Sequence, residues 1–318
     1  MEQIMAPLPQ YRVEEEPRPF SVVGVDYAGP LFAEEGGVSH KVWILVFTCM
    51  QVRAIHLELV SSMDTEALIS AIRRFIARRG KPRAFYSDNG RSFRLAAKEM
   101  KALNAILSHQ DLPMRLRQEG IQWLFQVPQA PWWGGLHERM VRAVKEALRA
   151  AIFREKLTKD QINTALVEAE AIINSRPMAM VTEDPSDPLP VSPGMLLTGY
   201  DNAMDPFPGD LATLDAAGVQ LRWRRRLHLR TVLSRKFVNN YIMGLRQRKK
   251  WHQQQPELQP GQLVLLDEPT KRLQWPLGRV VQVHPGRDGV VRSATIRLKT
   301  GIKKRPIQRL VPLEISDA

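Results

Sequence analysis

Three strand-length apolar runs follow one another near the N-terminus, and helical and strand-length patterns alternate after them. The three runs are Phe20–Tyr27, Lys41–Cys49 and Val52–Val60. Their alternation of apolar and polar residues is typical of neighbouring strands in one sheet. With the segments that follow, the order becomes βββαβαβαα, which predicts an α/β domain whose first strands are antiparallel.

The later elements are predicted from apolar periodicity and from glycine and proline positions. Asp64 is a candidate N-cap of the first helix, and Gly80 and Pro82 end that helix. The Gly29-Pro30 pair is expected to end the first strand. Helices are predicted over residues 64–79, 93–106, 136–153 and 159–175, and strands over residues 84–87 and 121–126.

The 318-residue length predicts two domains joined by a linker. Residues 1–19 are a polar tether, residues 20–180 form the α/β core, and residues 181–217, rich in Pro, Asp and Gly, are the linker. A basic helical segment follows at 218–258, and a small β-barrel at 259–318. The barrel strands are predicted over residues 262–266, 278–284, 290–299 and 305–311, with a hairpin at 285–289.

Positive charge is concentrated in the last third of the chain. Residues 201–318 contain 22 Lys and Arg against 10 Asp and Glu, a net +12 of the total +13. The first 200 residues therefore contribute only +1 (24 − 23). This clustering favours a polyanion-binding appendage behind a near-neutral body, and the alternative is a basic surface that only aids solubility.

The cysteine count and the apolar runs limit the compartment. Cys49 is the single cysteine, which excludes an internal disulfide and a multi-cysteine zinc site. No apolar stretch approaches the roughly 20 residues of a membrane span. The N-terminus lacks the pattern of a secretory signal. We expect an intracellular protein that does not associate with a membrane and has no zinc cofactor.

Three acidic residues stand where the predicted sheet would bring carboxylates together. Asp26 lies near the end of the first strand, Asp88 follows the fourth, and Glu138 lies in the first turn of the helix after a glycine pair. Carboxylates suit Mg²⁺ or Mn²⁺, and two such ions can drive an in-line displacement at phosphorus. Each residue also has a plain interpretation, as a strand end, a turn and a helix N-terminus.

The helix after Glu138 carries cations on the same face as that carboxylate. Arg142, Lys145 and Arg149 follow it at helical spacing, which suits contact with a DNA backbone, although an ordinary amphipathic helix gives the same pattern. Further candidate DNA-binding residues are Asn89, Gln129, Arg222, Arg224, Arg225, Arg226, Arg230 and Lys236. A nuclear-import signal is the alternative interpretation of the cluster from Arg222 to Lys236.

The runs VVGVDYAGPL, YSDNGRSF and PQAPWWGGLHERMVRAVKEALR resemble the integrase core of BEL/Pao-type LTR retrotransposons, within the DDE and retroviral integrase superfamily. The tail LQWPLGRVVQVHPGRDGVVRSATIRLKTG is similar to the small C-terminal domain that follows this core. The matched blocks extend from about Leu8 to Leu313.

The resemblance implies a ribonuclease H-like mixed sheet flanked by helices and a C-terminal SH3-like β-barrel. It makes Asp26, Asp88 and Glu138 the catalytic and metal-binding triad, with 61 and 49 residues between its members. Two Mg²⁺ or Mn²⁺ ions would then serve 3′-processing and strand transfer. The implied partners are element ends, target DNA and further copies of the chain, in the nucleus after synthesis in the cytoplasm, with chromatin as a further candidate.

The chain departs from this family because nothing in it matches the usual N-terminal zinc-binding domain. Its first histidine is His40, and Cys49 lies in a strand-length run. We therefore expect a polyprotein fragment, a truncated copy or a domesticated descendant. Two other functions stay open: a non-catalytic DNA- or chromatin-binding protein that keeps the fold, and a ribonuclease H-type hydrolase of RNA–DNA hybrids.

Overall fold

The computed structural model divides the chain into two units, residues 1–173 and residues 174–318. It describes residues 18–107, 120–125, 142, 144–148, 156–180, 190–199, 232, 237–238, 241, 258–267, 277–286, 290–298 and 300–313. Each unit is built on its own five-stranded sheet. No helix among these residues is long and apolar enough to cross a membrane.

The N-terminal unit is organised around a mixed sheet of order β3-β2-β1-β4-β5. Its first three strands pair antiparallel, whereas β4 lies parallel to β1 and β5 parallel to β4. The strands are β1 (Val22–Glu35), β2 (Val38–Cys49), β3 (Ile55–Val60), β4 (Ala84–Ser87) and β5 (Gln122–Phe125). This mixed sheet flanked by helices confirms the predicted fold class.

Three long helices are described in this part of the chain. They are α1 (Thr65–Arg79), α2 (Arg91–Leu107) and α3 (Lys159–Asn174). The α1 cap is the predicted one, because Asp64 Oδ1 accepts from the Ala67 backbone N–H at 2.8 Å. Residues 144–148 are also helical and bury Val144, Ala147 and Leu148, in agreement with a packing face on the predicted helix 136–153.

The first strand is longer than predicted. The sequence predicts an end at Gly29-Pro30, but β1 continues to Glu35 and pairs with β2 along its length. Gly29 and Pro30 lie at a register shift between Ala28 and Leu31, and β1 pairs with β2 again from Leu31, opposite Val42. A bulge thus takes up the irregular residues without ending the strand. The β3 strand begins at Ile55, later than predicted, since Arg53 adopts a positive φ of 54° in the preceding turn.

Aromatic rings fill the interior between the sheet and α1. Phe75 of α1 stacks on Phe47 of β2 with ring centroids 4.5 Å apart. Its edge meets Phe20 at 5.4 Å, and Phe85 of β4 lies 6.1 Å away. All four side chains are buried, and aromatic pairs at these separations add to the free energy gained by burial.

A buried ionic network covers the outer edge of the sheet at β3. His56 Nε2 lies 3.0 Å from Glu58 Oε1, and His56 Nδ1 lies 3.2 Å from Glu170 Oε2. Arg74 Nε donates to Glu58 at 2.7 Å, and Arg79 pairs with Glu170. Glu170 also accepts the Leu57 backbone N–H at 2.9 Å. The network therefore joins β3 to α1 and α3, and periodicity gave no sign of it.

The C-terminal unit contains an all-antiparallel sheet of order β11-β10-β9-β8-β12. Its strands are β8 (Leu263–Leu266), β9 (Leu277–Pro285), β10 (Val291–Leu298), β11 (Gly301–Pro306) and β12 (Leu310–Pro312). The predicted hairpin is present, because β9 and β10 flank residues 286–290 and pair. The sheet is consistent with a small SH3-like domain.

The last predicted strand, residues 305–311, is divided in two. A 3-10 turn at Ile307–Arg309 separates β11 from β12. Pro306 precedes that turn with φ −66°, and proline provides no N–H for further pairing. The predicted strand thus spans the end of one strand, a turn and most of the next.

Other parts of the C-terminal unit lie before its sheet. Strands β6 (Ala179–Met180) and β7 (Pro190–Val191) pair, and a short helix α4 (Pro193–Thr198) follows, so the described part of the predicted linker contains regular structure. In the predicted basic segment, residues 232, 237, 238 and 241 are helical. The domain boundaries drawn from the sequence remain predictions.

Candidate active site

The first two candidate carboxylates directly follow the last paired residues of two neighbouring parallel strands. Val25 of β1 and Ser87 of β4 are register partners, and the next residues of the two strands are Asp26 and Asp88. Adjacent strands lie about 4.8 Å apart, and residues in register point to the same face. The backbone at Asp26 and the backbone at Asp88 therefore leave this pair at neighbouring positions, where β4 ends beside the central strand β1.

The Asp26 carboxylate has two partners on its two oxygens. Oδ1 accepts from the Tyr27 backbone N–H at 2.7 Å, and Oδ2 lies 2.7 Å from Lys145 Nζ. The Asp26 and Lys145 side chains are 36% and 28% exposed, so solvent and ions reach the pair. Lys145 belongs to the helical residues 144–148, whose opposite face is buried. This packing holds the backbone of Lys145 in place.

The Asp88 carboxylate is exposed and belongs to a tight turn between β4 and α2. Its Oδ1 accepts from the Gly90 backbone N–H at 2.8 Å, while α2 begins at Arg91. A Cβ on Gly90 would lie 3.0 Å from Asp88 Oδ1 and 3.2 Å from Phe93, so a glycine allows the turn to close this tightly.

A short hydrogen-bonded chain supports the end of β4. Trp123 Nε1 of β5 donates to Ser87 Oγ at 2.9 Å, and that hydroxyl donates to the Asp88 backbone oxygen at 2.9 Å. The Trp123 ring lies 5.2 Å from Phe85 and 6.1 Å from Phe93. These contacts hold the backbone at Asp88, and sequence reasoning assigned no role to Ser87 or Trp123.

Tyr27 faces away from Asp26, since successive strand residues alternate between faces. Its ring packs 5.2 Å from Phe93 at the start of α2. Burial raises the pKa of the Tyr27 phenol to about 12, against a smaller lowering by the Ser92 hydroxyl and with a small further rise from Asp64. Tyr27 therefore stays protonated at neutral pH and serves as part of the packing beneath the site.

The structure describes only some of the predicted site residues. Asn89 lies in the turn after Asp88, where its Oδ1 accepts from Arg94 Nη2 at 3.5 Å, and Arg142 is helical and exposed. The third carboxylate and most of the predicted DNA contacts lie outside the described residues: Glu138, Gln129, Arg149, Arg222, Arg224, Arg225, Arg226, Arg230 and Lys236.

The donor chemistry of the site fits a hard divalent cation. Asp26 and Asp88 provide carboxylate oxygens at adjacent positions, and Mg²⁺ commonly binds through one or two carboxylates while it keeps water or phosphate oxygens. Within the described ranges no group of three His, Cys, Asp or Glu side chains converges. Asp26 and Asp88 would thus hold the ion, and a third ligand would come from outside those ranges.

One family model matches the chain, at residues 221–313, and its description is "Family of unknown function (DUF5641)". It covers most of the predicted basic segment and the whole C-terminal sheet. A search of curated proteins finds no match.

Several solved structures are similar to the chain. The simian T-cell lymphotropic virus intasome in complex with the PP2A regulatory subunit B56 gamma matches at 14% identity, TM-score 0.39, over 97% of this chain and 84% of that one. The BIV integrase catalytic core matches at 20% identity, TM-score 0.33, over 47% and 83%. The HTLV-2 integrase catalytic core in complex with magnesium, in a trimeric form, matches at 15% identity, TM-score 0.36, over 57% and 99%. The solved structures named here are thus retroviral integrases.

Proposed function

We propose that the chain is a metal-dependent polynucleotidyl transferase of the retrotransposon integrase type, which catalyses 3′-processing and strand transfer of DNA. The observation that carries the proposal is that Asp26 and Asp88 directly follow Val25 and Ser87, the last register pair of the parallel strands β1 and β4. Two carboxylates side by side repel each other, and a divalent cation relieves that repulsion. The pair is therefore a natural binding site for such an ion.

The contact between Lys145 and Asp26 supports a third carboxylate at the same place. The predicted helix 136–153 includes both Glu138 and Lys145, and a spacing of seven residues is about two helical turns. Both side chains therefore belong to one face of that predicted helix. Because Lys145 contacts Asp26, we expect Glu138, on the same face of the predicted helix, to lie on the side of Asp26 and Asp88.

The ions would be Mg²⁺ or Mn²⁺, which activate a water or a 3′-hydroxyl and stabilise the leaving oxygen when bound. The protein's own contribution is to hold the carboxylates and to bind the DNA backbone. Arg142 and Lys145, together with the cationic C-terminal part, are the proposed backbone contacts. Element ends and target DNA are the proposed substrates, self-association and chromatin the proposed partners, and the nucleus the proposed location.

The test is a 3′-processing and strand-transfer assay on labelled duplex ends with Mg²⁺ or Mn²⁺. Asp26→Asn and Asp88→Asn should each lower joining more than about a hundredfold, since removing a metal ligand costs more than removing one of its supporting partners. The carboxamide oxygen introduced by Asp88→Asn can still accept from Gly90, so that variant should keep its circular dichroism spectrum and melting temperature. Glu138→Gln tests the third position.

The matched control for these variants is Asp160→Asn, which removes an exposed carboxylate at the start of α3. It should join DNA at the wild-type rate. Wild-type joining by Asp26→Asn or Asp88→Asn would contradict the assignment of the site.

A second candidate function is DNA or chromatin binding without catalysis. The described part of the C-terminal sheet favours it, because basic residues there outnumber acidic ones by seven to one. The basic residues are Arg279, Arg292, Arg297, Lys303, Lys304, Arg305 and Arg309, and the acidic one is Asp267. Salt-sensitive binding of duplex DNA by a chain that joins no ends under any metal condition would favour this second function.

A further inference from the structure

Lys145 and a metal ion would compete for one carboxylate, that of Asp26. Lys145 Nζ lies 2.7 Å from Asp26 Oδ2, while the other oxygen, Oδ1, is taken by the Tyr27 N–H. A divalent cation would approach to about 2.0–2.5 Å from a carboxylate oxygen. An ammonium group on the same oxygen would then lie within about 4 Å of the ion, where like charges repel strongly.

We infer that Lys145 is a competing counter-ion of Asp26, which must leave the carboxylate when a divalent cation binds there. The inference rests on the proposed function, because it takes Asp26 as a metal ligand. It deepens that function by giving Lys145 two alternative partners. The side chain can exchange them without moving its helix, since four methylene groups separate the ammonium from a backbone held by buried neighbours.

The displaced ammonium needs a new anionic partner close to the metal. A DNA phosphate is the anion that the proposed reaction brings to this place. Linkage then makes metal and DNA favour each other: a phosphate that holds Lys145 leaves Asp26 free, and a metal on Asp26 leaves Lys145 free. Lys145 thus acts as a positioning residue that couples metal loading to the presence of DNA.

The test is a calorimetric titration of the full chain with Mn²⁺ in the absence of DNA. Lys145→Gln should bind Mn²⁺ about threefold to tenfold more tightly than wild type, because the competing cation is gone. Lys145→Arg, which keeps the charge, should remain near the wild-type affinity. An affinity in Lys145→Gln equal to or weaker than that of wild type would overturn the inference.

Lys159→Gln is the matched control, since it removes one positive charge from another ion pair of the same unit. Lys159 Nζ lies 3.0 Å from Glu35 Oε2, and the two side chains are 39% and 46% exposed. The Mn²⁺ affinity of this variant should equal that of wild type. A gain in Lys159→Gln as large as that in Lys145→Gln would reduce the effect to net charge and overturn the competition.

The linkage has its own measurement, in which a short labelled duplex is titrated by fluorescence anisotropy with and without Mn²⁺. Mn²⁺ should raise duplex affinity in wild type by a larger factor than in Lys145→Gln. Equal factors in both proteins would overturn the coupling.

Asp26→Asn separates this inference from the proposed function. If Asp26→Asn binds Mn²⁺ as tightly as wild type, Asp26 is not a ligand and the proposed function fails, and the inference fails with it. If Asp26→Asn loses Mn²⁺ binding while Lys145→Gln gains nothing, the metal site stands and only the role of Lys145 is wrong.

Discussion

The two sheets of the molecule treat charge in opposite ways. In the N-terminal unit, charged side chains are paired with each other at the sheet edge, and two of them, His56 and Glu58, are buried. In the C-terminal sheet the buried residues are apolar, including Val264, Val280 and Ile296. The described basic residues of that sheet are exposed or half-buried.

The difference indicates what each unit can do. Paired and partly buried charges hold side chains in defined positions, because each carboxylate is bound by specific hydrogen-bond donors. An excess of solvent-facing cations attracts polyanions from a distance and tolerates many binding registers. The N-terminal sheet therefore suits chemistry at fixed positions, and the C-terminal sheet suits binding without sequence preference. Each of the following substitutions tests one side of this contrast.

The largest effect is expected at Glu170. Glu170→Ala should lower the free energy of unfolding by about 3 kcal/mol, because it leaves His56, Arg79 and the Leu57 N–H without their shared acceptor. Urea unfolding followed by circular dichroism measures the change. Glu35→Ala, which removes an exposed ion pair with Lys159, should change stability by less than about 1 kcal/mol. Equal losses of unfolding free energy in the two variants would mean that the buried network stabilises the unit no more than an exposed ion pair does.

A smaller effect is expected from pH at His56. Burial lowers the pKa of His56, outweighing the opposite effect of Glu170, so the folded state takes up this proton at a lower pH than the unfolded chain, whose histidine titrates near pH 6.5. The unfolded state then binds more protons, and stability should fall, by up to about 2 kcal/mol, as pH drops from 7 to 5.

Glu170 extends this loss toward lower pH. Its pKa is lowered; burial, the largest influence, would raise it, but His56, Arg79 and the Leu57 N–H outweigh burial. The stability it contributes is present above pH 4.5 and is lost as pH falls through the lower folded pKa. His56→Gln should flatten the profile between pH 7 and 5, and it should also reduce the loss at lower pH, because His56 is one of the groups that lower the pKa of Glu170. Hydrogen exchange of peptides from β3, measured as a function of pH, reports this change in stability. If the slope of stability against pH between pH 7 and 5 were unchanged in His56→Gln, the role of the histidine would be contradicted.

The smallest effect on stability, within about 0.5 kcal/mol, is expected from neutralising β11. Replacing Lys303, Lys304 and Arg305 by glutamine should instead weaken duplex binding. It should flatten the dependence of log affinity on log salt by up to about 0.9 for each phosphate that is no longer neutralised. The matched triple variant, Arg73, Lys98 and Lys101 to glutamine, removes three exposed cations from the helices of the N-terminal unit. An equal change of slope in both triples would erase the contrast between the units.

Local chemistry made much of the fold predictable. The Asp64 cap, the α1 boundaries, β4 and most of the C-terminal strands followed from periodicity and from glycine and proline positions. The placement of Asp26 and Asp88 on neighbouring strands was also predictable, because the sequence puts Asp26 near the end of the first predicted strand and Asp88 directly after the fourth. Their catalytic role stays a prediction.

The rest depended on contacts between distant residues. A bulge lets β1 pass Gly29-Pro30, and whether a strand tolerates such a pair is decided by its partner strand. His56 and Glu58 alternate on one strand face as an exposed polar pair would. They are buried because distant residues cover them: Phe75 and Arg74 of α1, and Glu170, 112 residues after Glu58. The sequence likewise assigned Lys145 to DNA and gave no sign of its contact with Asp26.

The hydrogen bond from the Leu57 N–H to Glu170 has a consequence for how copies of the chain meet. β3 is the outer strand of its sheet, and exposed backbone donors on an outer strand invite a strand from another molecule to add there. At Leu57 that donor is already occupied, at 2.9 Å, by a carboxylate from α3. The same salt-bridged glutamate that stabilises the unit therefore discourages edge-to-edge aggregation.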